Sequence, residues 1–433
     1  QASAFHQGLA AHWIAQDTAA VGVLYVDGHV RPYHGHQHRL PEAHVARRRL
    51  CLPATTDVFV NDQTAAPVFR VTTPANAGLL HMLRTAILPE VRRLGGADRR
   101  VTVVFDREGW SPTFFAELLR DGFDFLTYRK GTTRRWPGTA FAAVTGTVAG
   151  QPVTYTLAEK RVRLRTGLRV REVRRLTASG HQTAIVTSRQ DLAPFEIAVR
   201  MFARWQQENF FRYLRHSFPL DALVTYAAEP ADPTRTVPNP ARTRLRARLA
   251  AVRRDRAAQE QAYGAEALAN PEGRRPTMRG FKIAHGTLAQ AIRTLQAQVA
   301  RLQARLRTCP ARIPVGERQP PETVVQLAPE AKLLTDSIKC TAYRAETALV
   351  QLLAPTYART EAEGRALLRE VFASPADLLP DEAAGLLRIR LHTLANPRSN
   401  RALATLCQAL TATETCFPGT HLRLVYEPQR VQA

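Results

Sequence analysis

Three acidic side chains, far apart in the chain, have the type and setting for phosphodiester chemistry. Asp27 ends the apolar run VGVLYVD, Asp106 ends VTVVFD, and Glu208 lies within DLAPFEIAVRMFARWQQENFFRYLRHSF, a stretch of helical period. The gaps between them are 79 and 102 residues. Cutting and joining a phosphodiester is served by two divalent ions, one activating the attacking oxygen and one stabilising the leaving oxygen. Mg2+ is a hard cation that keeps several waters and takes few carboxylates from a protein. Two aspartates and a glutamate are therefore enough for two Mg2+ ions, with Mn2+ as a substitute, if the fold brings them to one place. Taken singly, an Asp after an apolar strand is more often a turn or cap residue. The rivals are Asp57 and Asp62, which read as loop residues, and Glu108, which reads as an auxiliary carboxylate beside Asp106.

The elements that must position these acids read as mixed α/β. Residues 1–20 look like the end of a helical region, with Phe5, Leu9, Trp13 and Ile14 near helical spacing. VGVLYVDGHV then predicts a strand ending at Asp27 and Gly28, with VRPYHG as the second arm of a hairpin and TTDVFVND as a third strand. Leu79, Leu83, Ile87 and Val91 recur every four residues and predict a helix that Gly95 and Gly96 stop. VTVVF predicts a buried strand, Ser111 and Pro112 open a helix through FFAELL, and FDFLTY predicts the next strand. That order is the order of an RNase H-like mixed sheet, in which the strands ending at Asp27 and Asp106 are neighbours.

The catalytic core predicted this way spans residues 21–235, and residues 131–192 form a β-rich insertion within it (TAFAAVTGTV, PVTYTL, LRVREVRRL, QTAIVTS). Asp191 and Pro194 are the expected start of the helix that carries Glu208. Residues 236–315 are basic and helical, and residues 241–310 hold 15 arginines and lysines against 4 acids. Leu288, Ile292, Leu295, Val299, Leu302 and Leu306 form a heptad seam that suits either a hairpin within the chain or a coiled coil with a second copy. GERQPPE reads as a linker. Residues 325–433 read as a small α/β module: a helix with Ile338, Ala342, Ala345, Leu349 and Leu352 on one face, then the strands LRIRLH and HLRLVY around a helix at ALATLCQAL.

The formal net charge is +23, with 60 basic residues of which only five are lysine. So large an excess favours a polyanionic partner, nucleic acid first. Five widely spaced cysteines without a Cys-x-x-Cys pair argue against a disulfide scaffold or a cysteine zinc site, and a reducing, cytoplasmic setting is expected. No apolar run reaches the roughly 18 to 20 residues of a membrane span, so no membrane partner is expected. His29, His34, His36, His38 and His44 cluster without a Cys or Glu at ligand spacing and read as a solvated or DNA-facing loop.

The spacing Met201-x2-Arg204-x3-Glu208-x6-Arg215 resembles the Tyr-x2-Arg-x3-Glu-x6-Lys signature of bacterial insertion-sequence transposases of the DDE type. VTVVFDREGWS is similar to their second-aspartate motif, and YVDGHVRPYHG to the first-aspartate strand of related groups. The resemblance covers residues 21–226 in order, and SIKCTAYRAETAL and FPGTHLRLVYEP look like the tail of such proteins. It departs at Met201, where the signature has a Tyr whose phenol could hold a phosphate, and at Arg215, where a Lys keeps the same charge. The resemblance implies strand cleavage at element ends, attack of the freed 3′-hydroxyl on target DNA, and Asp27, Asp106 and Glu208 as metal ligands. Double-stranded DNA is the implied partner, with a homodimer in the DNA complex. Arg204 and Arg215 would grip the DNA backbone, Arg212 and Lys130 join them as nucleic-acid-binding residues, and Trp136 would hold a base flipped from a hairpin end. A plain packing role is the bland reading of Trp136. Two alternatives are a nuclease that cuts without joining and an inactive DNA-binding derivative.

Overall fold

The structure, a computed structural model, describes residues 1–95, 100–131, 134–148, 150–269, 285–353 and 360–429. After helix α1 (Ala2–Gln16) come β1 (Val23–Pro32), β2 (Glu42–Val45), β3 (Leu50–Asn61) and β4 (Pro67–Pro74). The expected hairpin at Asp27 is absent, because β1 continues through Asp27 and Gly28 as one strand paired antiparallel with β3 from Tyr25↔Asn61 to Pro32↔Ala54. The hairpins are instead β2–β3 and β3–β4, and the sequence pattern signals neither β2 nor β4. An uninterrupted β1 places Asp27, His29 and Arg31 on one face, since alternate residues of a strand share a side.

Leu79, Leu83, Ile87 and Val91 are buried as their spacing predicts, on α2 (Leu79–Met82), a wider π turn (Leu83–Ile87) and α3 (Leu88–Gly95). Pro89 has no N–H to close an α turn, and the widened turn precedes it. Gly96 lies outside the described residues. β5 (Val101–Phe105) is buried throughout and runs parallel to β1 and to β6 (Phe123–Tyr128). Between them, Ser111 caps α4 (Pro112–Arg120) by accepting from the Phe114 N–H at 3.3 Å, with Pro112 at the first helical position.

The β-rich insertion continues the core sheet instead of forming a layer of its own. β7 (Ala142–Val148), β8 (Gln151–Arg163), β9 (Arg169–Leu176) and β10 (Gln182–Thr187) form a meander whose last strand pairs with β6. The ten-stranded mixed sheet runs β2–β3–β1–β5–β6–β10–β9–β8–β7, with β4 on β3. Apolar residues fill both sides: Leu24, Val26, Val103, Phe105 and Phe125 with Phe115 of α4 under α2–α4, and Tyr25, Val104, Leu126 and Ile185 with Met201 from the next helix. That helix is expected as one piece and is two, α5 (Pro194–Phe202) and α6 (Arg204–Ser217), broken at Ala203. Asp191 is not its cap: Arg189 takes that carboxylate, and Ala193 precedes Pro194.

Beyond the sheet, α7 (Pro240–Leu268) and the helix Gly286–Thr308 form a hairpin. Leu245, Leu249 and Val252 of α7 meet Leu295, Val299, Leu302 and Leu306, so the heptad seam closes within the chain. The helix Pro329–Leu352 lies against α1 and β4. Its expected apolar face points outward at Ile338 and Leu352, whereas Lys332, Asp336, Ser337, Cys340 and Tyr343 are turned in. The remaining module joins Thr360–Ala373 and Pro397–Thr411 to a sheet of Ala376–Asp381, Leu386–Leu391 and Arg423–Pro428, the first strand of which is not evident from sequence.

Candidate active site

The parallel pairing of β1 with β5 carries the first two acids to one spot. Val26 is in register with Phe105, and Asp27 and Asp106 are the next residue on each strand. Neighbouring strands lie about 4.8 Å apart. Beyond β5 the chain turns, and Asp106 Oδ1 accepts from the Glu108 N–H at 2.9 Å. Asp27 is half-buried and accepts from the Gly28 N–H at 3.0 Å.

Helix α6 brings the third acid. Gln207 is fully buried and anchors it: its amide donates to Asn61 Oδ1 at 2.9 Å and to the Phe59 carbonyl at 3.4 Å. Phe210 and Phe211 pack on Phe59 in β3, the register partner of Asp27. With that face fixed, Arg204, Glu208, Arg212 and Arg215 follow one another at steps of four, four and three residues. Arg204 Nη2 forms an ion pair with Asp27 Oδ2 at 3.3 Å.

The electrostatics register all three acids. Asp27 is pushed up to about 6, first by burial and then by the negative charges of Asp106 and Glu208, against the pull of Arg204 and the Gly28 N–H. Glu108 is also raised, by burial and by Asp106, while Lys130 opposes the shift. Asp106 and Lys130 are thus electrostatic neighbours of Glu108.

The donors are hard oxygens, and their mutual repulsion is what a divalent cation relieves, so the chemistry of the set fits Mg2+. The geometry is less complete. Among the described residues no three His, Cys, Asp or Glu side chains stand close enough to hold a metal ion as they are. With Arg204 on Asp27, the three acids are electrostatic neighbours and not a closed ligand cage.

The other expected residues divide. Met201 is fully buried in the core with Tyr25, Val104 and Ile185, so no side chain at this position reaches DNA without repacking. Arg212 is exposed on α6. Arg215 stands further along, in the field of Arg47 and Asp221, and donates to the Phe211 carbonyl at 3.2 Å. Trp136 sits under two cations, the Arg174 guanidinium at 4.1 Å and the Lys160 ammonium at 4.9 Å from the ring centre. Arg174 is buried and held by Glu172 at 2.6 Å, whereas Lys160 is exposed. Asp62 is the loop residue expected, accepting from Thr64 and Ala66, but Asp57 is a fully buried strand residue bound to Arg70 at 2.9 Å.

Two neighbours escape a reading of the sequence. Tyr128, at the end of β6 beside Asp106, has its phenol raised by burial and feels both Arg204 and Glu208. Arg107 lies 5.6 Å from its ring centre. The position of FDFLTY immediately after the Asp106 helix is the signal that could have found it. His29, expected in a loop, is buried in β1, stacked on Phe211 at 5.0 Å and 2.6 Å from Asp221.

A large mixed sheet gathering carboxylates beside arginines defines a framework for handling a polyanion. The family comparison is narrower: residues 2–429 match a family described as transposase protein, and the chain belongs to that transposase family. Membership makes it a DNA-binding protein. No curated protein matches the chain. Among the described residues no helix is long and apolar enough to cross a membrane.

Proposed function

We propose that this transposase is of the DDE type, an RNase H-like enzyme that cleaves a strand at each element end and joins the freed 3′-hydroxyl to target DNA. The observation that carries the reading is geometric: the β1–β5 register sets Asp27 beside Asp106, and Arg204, one turn before Glu208 on α6, pairs with Asp27. The strand order supports it as well: an antiparallel β4–β3–β1 followed by parallel β5 and β6, with Asp27 on β1 and Asp106 immediately after β5. Asp27, Asp106 and Glu208 would hold Mg2+, with Mn2+ as a substitute, and the bound pair would supply activation of the attacking oxygen and stabilisation of the leaving one.

The chain's own residues then position and neutralise. Arg204 releases Asp27 and turns to a backbone phosphate, and Arg212, about two turns further along α6, contacts another. The raised carboxyl of Asp27 must ionise to serve as a ligand, so binding of the cation improves as pH rises through about 6. The exposed arginines of α7 track the duplex outside the core. Trp136 accepts a flipped base once Lys160 swings off its ring, while Arg174 stays.

The test is cleavage and joining of a labelled element-end duplex by the wild type and by Asp27→Ala, Asp106→Ala and Glu208→Ala. Each variant should bind DNA and lose cleavage. Full strand cleavage by any one of them sinks the assignment. Wild-type cleavage without linkage of labelled ends to a second DNA would restrict the protein to a nuclease. The Arg204–Asp27 ion pair favours one further reading, a DNA-binding derivative that no longer cuts. Under that reading Mn2+ leaves the wild type inert on every substrate.

A further inference from the structure

On the sheet face that bears the helix Pro329–Leu352, a buried charge cluster is unbalanced. Arg31, Arg70 and Lys332 are each at most 5% exposed, and Lys339 adjoins them, against two carboxylates among the described residues, Asp57 and Asp336, both fully buried. Arg70 lies between those two, at 2.9 Å from Asp57 and 3.3 Å from Asp336. Lys332 reaches Asp336 at 2.8 Å, and Arg31 reaches Asp57 at only 3.5 Å. Burying unmatched charge is costly unless a counter-charge is supplied.

The place for one is adjacent. Arg31, Lys332 and the threonines Thr55, Thr72 and Thr73 line a cavity of about 80 Å3. A single water needs roughly 10 to 15 Å3, so a tetrahedral oxyanion fits. Pro329 also lines it, so the N-terminus of a 24-residue helix that no side chain caps among the described residues opens onto the same space. Beyond Arg31 and Thr55 the cavity passes into a cleft of about 270 Å3 along Tyr33, Leu223, Tyr226 and Leu327. Among the described residues the buried Tyr33 hydroxyl has no hydrogen-bond partner there. The other carboxylate of the cleft, Asp221, is already taken by His29 and Arg47.

We infer that this is a binding site for a phosphate monoester, with the phosphate between Arg31, Lys332 and the helix N-terminus and the esterified group in the cleft, where the Tyr33 hydroxyl meets it. The site is separate from the three acids, and the inference stands whether or not they cut DNA. The phosphate could belong to a free nucleotide or to a 5′-phosphorylated DNA end, and each is a probe.

Calorimetric titration of the DNA-free protein is the test, with inorganic phosphate, a nucleoside monophosphate, and a short single strand with and without its 5′-phosphate, all at matched ionic strength. The expected result is binding of the monophosphate at least tenfold tighter than inorganic phosphate. Lys332→Met should abolish both, and Arg204→Ala should leave both unchanged. Because Lys332→Met removes a buried charge and its fold could fail, Tyr33→Phe is the second variant. It should weaken the monophosphate severalfold and leave inorganic phosphate alone. A 5′-phosphorylated strand binding no tighter than its unphosphorylated twin assigns the site to free nucleotides. No binding by any probe, or binding that Arg204→Ala removes and Tyr33→Phe does not change, overturns the inference.

Discussion

Arg204 meets Asp27 at 3.3 Å from one helical turn before Glu208, so the same face of α6 that carries the third acid also delivers a cation to the first. The pairing partly offsets the repulsion among the acids, yet Asp27 stays near 6 because burial and its two anionic neighbours outweigh one arginine. In the proposed reaction, Arg204 is the charge that a metal ion or DNA would displace from Asp27.

The raised carboxyl makes a stability prediction. Its folded value of about 6 lies above the ordinary 3.8, so the folded state binds the proton more tightly than the unfolded chain. Stability from this group is fully lost above about pH 6 and regained below about pH 4. Asp27→Asn removes the dependence. It should stabilise the protein by up to roughly 3 kcal/mol near neutral pH and by almost nothing near pH 3.5. Thermal unfolding of both proteins at the two pH values checks this, and equal midpoints at neutral pH contradict it.

Met201→Tyr restores the residue of the transposase signature but should not restore a phosphate contact. The side chain is fully buried against Tyr25, Val104 and Ile185. Overpacking of this kind costs about 1–3 kcal/mol. Urea denaturation should show that destabilisation, with DNA affinity unchanged; a gain in affinity would place residue 201 at the surface.

Asp57→Ala leaves the buried charge of Arg31 without a carboxylate and Arg70 with Asp336 alone. The expected cost is about 3–5 kcal/mol, the range for breaking one side of a buried ion pair. It should appear as a lower denaturation midpoint. A shift below about 1 kcal/mol would mean that water already reaches the cluster.

The hairpin of α7 with Gly286–Thr308 exposes Arg244, Arg246, Arg248, Arg253 and Arg254. If they track phosphates, replacing them by Gln lowers the slope of log affinity against log salt by about 0.9 for each phosphate left without its arginine. The seam residues are untouched, so helix content should not change. Binding measured across a salt series decides it, and an unchanged slope removes the hairpin from the DNA path.

Much of the framework is legible locally. Runs such as Val101–Phe105 and the four-residue recurrence of Leu79, Leu83, Ile87 and Val91 read correctly because burial on both faces or on one stripe leaves a pattern in neighbouring residues. Gly28 misleads, since a glycine after Asp reads as a turn, yet here it sits in strand opposite Val58. The helix Pro329–Leu352 misleads more deeply. Ile338 and Leu352 look outward, and beside Cys340, Tyr343 and Val350 it buries Lys332 and Asp336, whose partners Arg70 and the Leu220 carbonyl lie on distant segments.

By itself the sequence determined the mixed α/β class and the excess of positive charge, and it singled out Asp27, Asp106 and Glu208 as candidates, because residue type and short-range spacing carry those. The tertiary structure alone decided that β1 passes straight through Asp27, that the β-rich insertion extends the same sheet, and that Arg204 closes on Asp27. Each of these joins segments far apart in the chain, and strand register and helix docking are settled by the packing of whole surfaces, which no local pattern encodes.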